Sequence, residues 1–191
     1  MWYVTEVKMN RTNGRIAERS KQQFAMALFS LMKVYKYIEI TVTQLAQEAN
    51  LSRKTFYRLF NDKNDVLKQL FDTLFFDFFS EIKERGIKHY WDLVQVYFDF
   101  WESRKEILLL LSKNDLMPIM FEYVYRNSEK IFILVRTSEK AEAFNELLPY
   151  LLAYSVGGMH SMLIKWVESE MSVPSSVLIA QLKAGFQSPE L

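Results

Sequence analysis

Apolar residues recur three and four positions apart along nearly the whole chain, and no segment alternates apolar and polar residues over the length of a strand. This spacing places the apolar side chains on one face of a helix. Five glycines and four prolines are few breakers for 191 residues, so the helical stretches are long. The pattern predicts an all-α protein without internal repeats or low-complexity segments.

The interruptions in this pattern set the expected helix bounds. Capping and breaker residues, such as Gly86 and Pro118, place helices near residues 15–33, 42–49, 53–60, 63–85, 89–103, 104–113, 116–136, 140–169 and 174–187. Pro149 falls inside an apolar helical pattern, so it either kinks that helix or marks its true start.

Residues 40–60 carry the strongest local signals in the chain. Thr41 and Gln44 have the spacing of a capping box at a helix start. Asn50 stands where a left-handed turn residue is needed, and Ser52 is a cap for the next helix. The segment therefore predicts two short helices joined by a tight turn, the second one basic and aromatic. This is the arrangement of a helix-turn-helix that enters the DNA major groove.

DNA binding requires close packing of the two helices, for which the segment has Leu45, Ala46, Ala49, Leu51, Phe56 and Leu59. Arg53 and Lys54 begin the second helix, where side chains reach base edges. Thr55, Tyr57 and Lys63 are placed to hold phosphates. The complete predicted DNA-binding set is Thr41, Thr43, Ser52, Arg53, Lys54, Thr55, Tyr57, Arg58 and Lys63. The agreement of caps, turn and basic residues favours DNA binding over an amphipathic helix pair with a solvated charged face.

Residues 18–67 resemble the DNA-binding domain of the TetR/AcrR family of bacterial transcriptional regulators. The matching residues are Ile40-Thr41-Val42, Leu45-Ala46, Ala49-Asn50-Leu51-Ser52, Thr55-Phe56-Tyr57, Phe60 and Lys63. The family usually has glycine at the position of Asn50 and often a small residue at that of Lys54. The extra charge of Lys54 at the DNA face bears on which target sequence is bound.

The resemblance implies a homodimer in which three N-terminal helices bind DNA and a fourth connects them to C-terminal helices. Those C-terminal helices would bind a small effector and form the dimer. Effector binding would move the two DNA-binding heads out of register with major grooves about 34 Å apart. We therefore expect two domains. Residues 1–65 would form an N-terminal arm and the helix-turn-helix DNA-binding domain, and residues 66–191 the helical effector-binding and dimerisation domain.

The charge distribution agrees with this division. Residues 1–65 hold 11 Lys/Arg and 6 Asp/Glu, a net charge of +5, and residues 66–191 hold 13 and 17, a net charge of −4; the sum is the +1 of the whole chain. A basic first third is typical of polyanion binding. Lys8, Arg11 and Arg15 precede the first predicted helix. They form either a basic arm that reaches DNA or a solvated tail.

Two features of the second half are candidates for function. Ala153, Gly157 and Ser161 form a strip of small side chains where two helices can approach closely. The strip serves either packing within one chain or a dimer interface, and the resemblance favours the dimer. The aromatic residues Trp101, Phe121 and Tyr154 are candidates for an apolar pocket that binds a small hydrophobic effector, with ordinary core packing as the alternative.

Composition argues against several other classes. The absence of cysteine excludes disulfides and thiolate metal sites. His89 and His160 lie outside any catalytic or metal-binding motif, so we expect neither an enzyme nor a metal or other cofactor. The chain shows no secretory signal, and its longest aliphatic run, Ile107–Leu111, is too short to span a bilayer. We therefore expect a cytoplasmic protein that does not bind membranes.

These observations predict a homodimeric transcriptional regulator that binds double-stranded operator DNA. We expect a repressor that a small hydrophobic effector releases. The alternative is a co-regulator of similar fold that acts through protein contact instead of direct DNA binding. The basic and phosphate-contacting residues argue against that alternative. The salt dependence of binding distinguishes direct DNA binding from protein contact, because binding through several phosphates weakens steeply as the salt concentration rises.

We predict that Gly157→Leu breaks the dimer, because a leucine side chain would hold apart two helices that approach closely over the small-residue strip. Sedimentation of the variant beside the wild-type protein checks this prediction. If the variant still sediments as a dimer, the small-residue strip is not part of the dimer interface.

Overall fold

The fold is all-helical, which confirms the predicted fold class. The computed structural model describes residues 3–135 and 146–187, and no strand occurs within these ranges. The α-helices in this part of the chain are α1 Tyr3–Met32, α2 Val42–Glu48, α3 Arg53–Leu59, α4 Lys63–Arg85, α5 Tyr90–Ser103, α6 Lys105–Lys113, α7 Met117–Val135, α8 Leu148–Glu168 and α9 Ser175–Gln187. A 3-10 turn at Tyr37–Glu39 lies between α1 and α2. Over the described ranges, no helix is both long enough and apolar enough to cross a membrane.

The first helix is longer than predicted. α1 begins at Tyr3 and not near Arg15, so Lys8 and Arg11 belong to a helix and not to a separate arm or tail. No proline lies in this segment, and a single interior glycine, Gly14, costs about 1 kcal/mol relative to alanine. That cost is too small to end a helix of 30 residues. In place of the predicted arm, the structure has a continuation of α1.

The start of α8 decides between the two alternatives for Pro149. α8 begins at Leu148, and Pro149 lies in its first turn. Proline is tolerated there because the first backbone N–H groups of a helix have no partner within it. Pro149 therefore marks the start of the helix and does not kink it. The helix start predicted near residue 140 lies outside the described residues.

α4 has the ends that the sequence predicts. The Asp62 carboxylate accepts hydrogen bonds from the backbone N–H groups of Asn64, at 2.7 Å, and Asp65, at 3.2 Å. At the other end Gly86 has a φ of +61°, and the Ile87 N–H donates to the Ile82 carbonyl at 3.4 Å. A residue with positive φ after the last helical turn is most often glycine, because glycine has no Cβ to clash.

The chain divides into two compact units, Met1–Thr73 and Leu74–Leu191. The division falls within α4, whereas the predicted domain boundary lies between residues 65 and 66. Val66, Leu67 and Phe71 of α4 are buried members of the first unit. The first turns of α4 therefore belong to the helix-turn-helix unit.

Three phenylalanines form the centre of the first unit. The rings of Phe24 in α1 and Phe56 in α3 meet edge to face with their centroids 5.3 Å apart. Phe60 lies 5.8 Å from Phe24 and 5.5 Å from Phe56. α1, α2 and α3 all contact one another. This aromatic cluster therefore holds α3 on α1, and α2 closes the three-helix arrangement.

In the second unit, α5 supplies much of the core. Its buried side chains are Val94, Val96, Tyr97, Phe98, Phe100 and Trp101. α5 packs against α9, and α7 packs against α8. The Ser175 N–H at the start of α9 donates to the Glu102 carboxylate of α5 at 3.1 Å, so a side chain from one helix caps the other. This cap fixes where α9 meets α5.

We predict that Phe56→Ala destabilises the protein by about 3–5 kcal/mol, because it removes a fully buried aromatic ring and leaves a cavity. Urea denaturation followed by circular dichroism measures the loss. Met26→Ala is the matched control, since Met26 is 71% exposed and a surface substitution changes stability by about 0.5 kcal/mol or less. Equal losses in both variants would contradict the assignment of Phe56 to the core.

Candidate nucleic-acid interface

The predicted capping box at the start of α2 is present. The Thr41 side-chain oxygen accepts a hydrogen bond from the Gln44 backbone N–H at 3.2 Å, and the Gln44 side chain accepts one from the Thr41 backbone N–H at 2.8 Å. These two bonds satisfy donors that a helix start leaves free. The start of α2 is therefore fixed at Val42, although the helix has only seven residues.

The turn between α2 and α3 depends on Asn50. Its φ of 52° lies in the left-handed region, which asparagine tolerates better than most residues other than glycine. The Asn50 N–H donates to the Gln47 carbonyl at 3.0 Å, and the Leu51 N–H donates to the Ala46 carbonyl at 2.9 Å. This pair of bonds is a Schellman motif, which closes α2 and directs the chain into α3. The predicted turn is confirmed.

α3 is held by a cap at its start and by one buried ring. The Ser52 hydroxyl accepts a hydrogen bond from the Thr55 N–H at 3.0 Å and lies 2.9 Å from the Thr55 hydroxyl. Phe56 is fully buried against Phe24. An isolated helix of seven residues is not stable in water, so these contacts decide where α3 lies.

The face of α3 opposite Phe56 is basic and exposed. Arg53 and Tyr57 are four residues apart, as are Lys54 and Arg58, so the two pairs share one side of the helix. All four side chains are exposed, Tyr57 to 55%. No acidic residue occurs between positions 49 and 61. Among the described residues, none forms an ion pair with the three cations, which are therefore accessible to a polyanion.

Besides Tyr57, four predicted contacts carry hydroxyl groups, Thr41 and Thr43 at the start of α2 and Ser52 and Thr55 at the start of α3. Thr43 is exposed on the first turn of α2. Thr41 and Ser52 are also exposed, but their oxygens cap α2 and α3. The hydroxyl of Thr55 is shared with Ser52, and Thr55 is half-buried. Three of the four hydroxyls therefore have a structural role that does not depend on DNA.

Lys63 has a different role in the structure from the predicted phosphate contact. Its ammonium group donates hydrogen bonds to the backbone carbonyls of Tyr37, Ile38 and Ile40, at 2.7, 2.8 and 3.1 Å. An ammonium group has three hydrogens, so these carbonyls use all of its donors. Burial lowers the pKa of Lys63, and the negative charge of Asp62 opposes that change. In this conformation no Lys63 donor is left for a phosphate.

Tyr37 and Asn64 complete this polar contact, and sequence reasoning did not find them. The Tyr37 hydroxyl donates to the Asn64 side-chain oxygen at 2.7 Å, and the Lys63 ammonium lies 4.8 Å from the centre of the Tyr37 ring. The Asn64 side-chain NH₂ donates to Asp62 at 3.2 Å. The available signal in the sequence was an aromatic residue, Tyr37, four positions before the capping box at Thr41. That signal does not identify Asn64, 27 residues away, as its partner.

The three predicted effector residues have different surroundings. Trp101 is buried, and its indole nitrogen has no hydrogen-bond partner of good geometry among the described residues. Burial raises the pKa of the nearby Tyr97, and the Trp101 indole offsets part of that rise. Tyr154 is 68% exposed, so it lies on a surface and does not line a closed pocket in this structure.

Phe121, the third predicted effector residue, pairs with a histidine. Its ring centroid lies 4.5 Å from that of His160, at an interplanar angle of 33°. Burial lowers the pKa of His160, which favours the neutral form of its imidazole. His89 is exposed at the N-cap of α5. Within the described ranges, no group of three or more histidine and acidic side chains is arranged to hold a metal ion.

The small-residue strip lies on an accessible face of α8. Ala153 and Ser161 are exposed, and a Cβ added at Gly157 would meet no atom of the chain within 4 Å. Tyr150, one turn before Tyr154, is exposed as well. The strip is therefore not used for close packing within the described part of the chain. This leaves room for a larger side chain at Gly157 without a clash inside one subunit.

A comparison with known proteins found a relative that is named as a transcriptional activator. No protein-family model matches the chain. The chain is 26% identical over 113 residues to the HTH-type dhaKLM operon transcriptional activator DhaS of Lactococcus lactis subsp. lactis (strain IL1403). That match spans 58% of this chain and 52%, about half, of the relative. The similarity supports a transcriptional regulator and does not by itself assign the chain to the TetR/AcrR family.

A solved structure, that of the dihydroxyacetone kinase operon activator DhaS, is also similar to the chain. It has 18% sequence identity and a TM-score of 0.45, and the match covers 86% of this chain and 97% of that chain. An identity of 18% and a TM-score of 0.45 are too low to support a conclusion about function.

We predict that the protein loses stability between about pH 10 and pH 12, and that Tyr37→Phe loses less. Burial, and to a smaller extent the charge of Asp62, raise the pKa of Tyr37 to about 12. Because the pKa is higher in the folded state, the stabilisation from the neutral phenol is complete below about pH 10 and is lost as the pH rises further. Melting temperatures across this range test the difference. Parallel decreases in the two proteins would exclude Tyr37 as the source.

Proposed function

We propose that this protein is a sequence-specific, DNA-binding transcriptional regulator that works through a helix-turn-helix formed by α2 and α3. The observation that carries this proposal is the exposed face of α3, with three cations that no described acidic residue neutralises. Phosphate binding needs accessible Lys and Arg side chains, because release of counterions from DNA supplies much of the affinity. The similarity to a transcriptional activator supports the same class.

The residues on this face have complementary roles in the proposal. Arg53 and Lys54, in the first turn of α3, contact base edges, and arginine pairs with guanine through two hydrogen bonds. Tyr57 and Arg58 lie one turn further along and hold phosphates, together with Thr43 on α2. Phosphate contacts position the helix on the duplex, and the base contacts of Arg53 and Lys54 select the sequence.

We further propose that the protein is a homodimer of the TetR/AcrR type, which joins two copies through α8. Support comes from the accessible strip of Ala153, Gly157 and Ser161 and from the exposed aromatic ring of Tyr154 beside it. Two helix-turn-helix units bind half-sites about 34 Å apart only if a dimer holds them at that spacing. Tyr154 is thus reassigned from an effector pocket to this interface.

The resemblance to TetR/AcrR proteins favours a repressor that a small hydrophobic effector releases, whereas the relative from Lactococcus lactis is named an activator. A reporter gene fused to the DNA upstream of the gene for this protein distinguishes repression from activation. Deletion of the gene raises reporter expression for a repressor and lowers it for an activator. Compounds that reverse the effect then identify the effector.

We predict that the protein binds the DNA upstream of its own gene more tightly than scrambled DNA of the same length. The affinity falls steeply as salt rises, because several phosphates are contacted. Fluorescence anisotropy across a salt series measures both properties. Tyr57→Ala weakens binding about tenfold or more, since it removes an exposed contact on the DNA-binding face without opening the core.

Two variants serve as controls for this measurement. Tyr57→Phe removes only the hydroxyl and so tests the phosphate hydrogen bond. Tyr125→Ala removes an exposed tyrosine from the second unit and leaves DNA binding unchanged. Equal binding to both DNAs, or none, would direct the search to another operator or to a protein partner of α3. A pull-down with the Tyr57→Ala protein as its control then distinguishes these two.

A further inference from the structure

The three carbonyls that Lys63 binds belong to one short segment. Tyr37 and Ile38 are in the 3-10 turn, and Ile40 directly precedes Thr41, the N-cap of α2. Lys63 itself is the first residue of α4. Its side chain therefore joins the start of α2 to the start of α4 across 23 to 26 residues of sequence.

Two further contacts strengthen this connection. The Tyr37 hydroxyl donates to Asn64, the residue after Lys63, at 2.7 Å. The Lys63 ammonium also lies over the Tyr37 ring at 4.8 Å, within the range of a cation–π interaction. We call these contacts of Lys63, Tyr37 and Asn64 the Lys63 clamp.

The clamp acts on the part of the structure that presents α3. The 3-10 turn has three residues and α2 has seven, so neither is stable by itself. A displacement of Ile40 would displace Thr41 and the start of α2. It would then be transmitted through the turn at Asn50 to α3.

We propose that Lys63 is a positioning residue for DNA binding, which holds α2 and α3 in their binding orientation by clamping the backbone before α2, and does not contact a phosphate itself. This inference rests on the proposed DNA-binding function. It differs from the phosphate contact implied by the family resemblance, because a phosphate contact would require the ammonium to leave at least one carbonyl. The two roles predict different results in two measurements.

The first measurement is made without DNA. Lys63→Met keeps most of the side-chain length but removes the ammonium, so the clamp is lost. Lys68→Met, on the exposed side of the same helix, removes the same charge and is the matched control. We expect Lys63→Met to lower the melting temperature by about 4 °C or more, and Lys68→Met to leave it unchanged. We also expect about tenfold faster hydrogen exchange at the Ile40 amide, which bonds to the Tyr37 carbonyl.

The second measurement is the salt dependence of DNA binding. For a positioning residue, Lys63→Met weakens binding by about tenfold at every salt concentration, and the slope of log K against log salt stays that of the wild-type protein. For a phosphate contact, the slope becomes shallower by about 0.9 and the loss of affinity shrinks at high salt. Arg58→Met, which removes a proposed phosphate contact on the exposed face of α3, provides the positive control for a changed slope.

Lower stability with an unchanged slope supports the clamp. A shallower slope with wild-type stability would overturn it in favour of a phosphate contact. If Lys63→Met does not fold, Lys63→Gln replaces it; this variant removes the charge and keeps two of the three donors, so we expect reduced stability and an unchanged slope. A shallower slope with wild-type stability in Lys63→Gln would overturn the proposal. If the wild-type protein binds no DNA selectively, the proposed function fails, while stability and exchange still decide whether the clamp exists.

Discussion

The burial of Phe56 against Phe24 and Phe60 is the interaction on which the rest of the candidate interface depends. α3 has seven residues, and a free helix of that length does not persist in water. Its position therefore comes from the aromatic cluster. Because Phe56 points into the core, the residues on the other side of α3 must face solvent. The basic surface is thus a direct consequence of how the core is packed.

Short elements surround this cluster, and each is held at its ends by polar contacts. Thr41 caps α2, Asn50 turns the chain, and Ser52 caps α3. The Lys63 clamp holds the 3-10 turn before them. The side chains of Thr41, Ser52 and Lys63 satisfy backbone groups that would otherwise lack partners. Asn50 contributes the positive φ of the turn. Thr41, Ser52 and Lys63 match positions of a DNA-binding motif, yet their observed contacts are within the protein.

The second unit shows where sequence reasoning reaches its limit. Trp101 and Tyr154 are both aromatic residues at helical spacing, and each was a candidate for one apolar pocket. In the structure the Trp101 side chain of α5 is buried in the core of the second unit, whereas the Tyr154 side chain of α8 is exposed on the surface. Periodicity identifies an apolar face but does not say whether the same chain or a second copy covers it. That question requires the packing of α7 and α8.

The sequence by itself determined the helical class, the two caps, the left-handed turn at Asn50 and the ends of α4. Each of these signals involves partners at most five residues apart, so local chemistry is sufficient to read them. Tertiary structure alone decided the contacts of Lys63 and Tyr37, which join residues 23 to 27 positions apart. The structure also showed that α1 begins at Tyr3 and that Pro149 lies in the first turn of α8, although neither start depends on a long-range contact. Whether a lysine in a binding motif serves DNA or its own backbone depends on which acceptors lie within reach, and only the folded chain places them there.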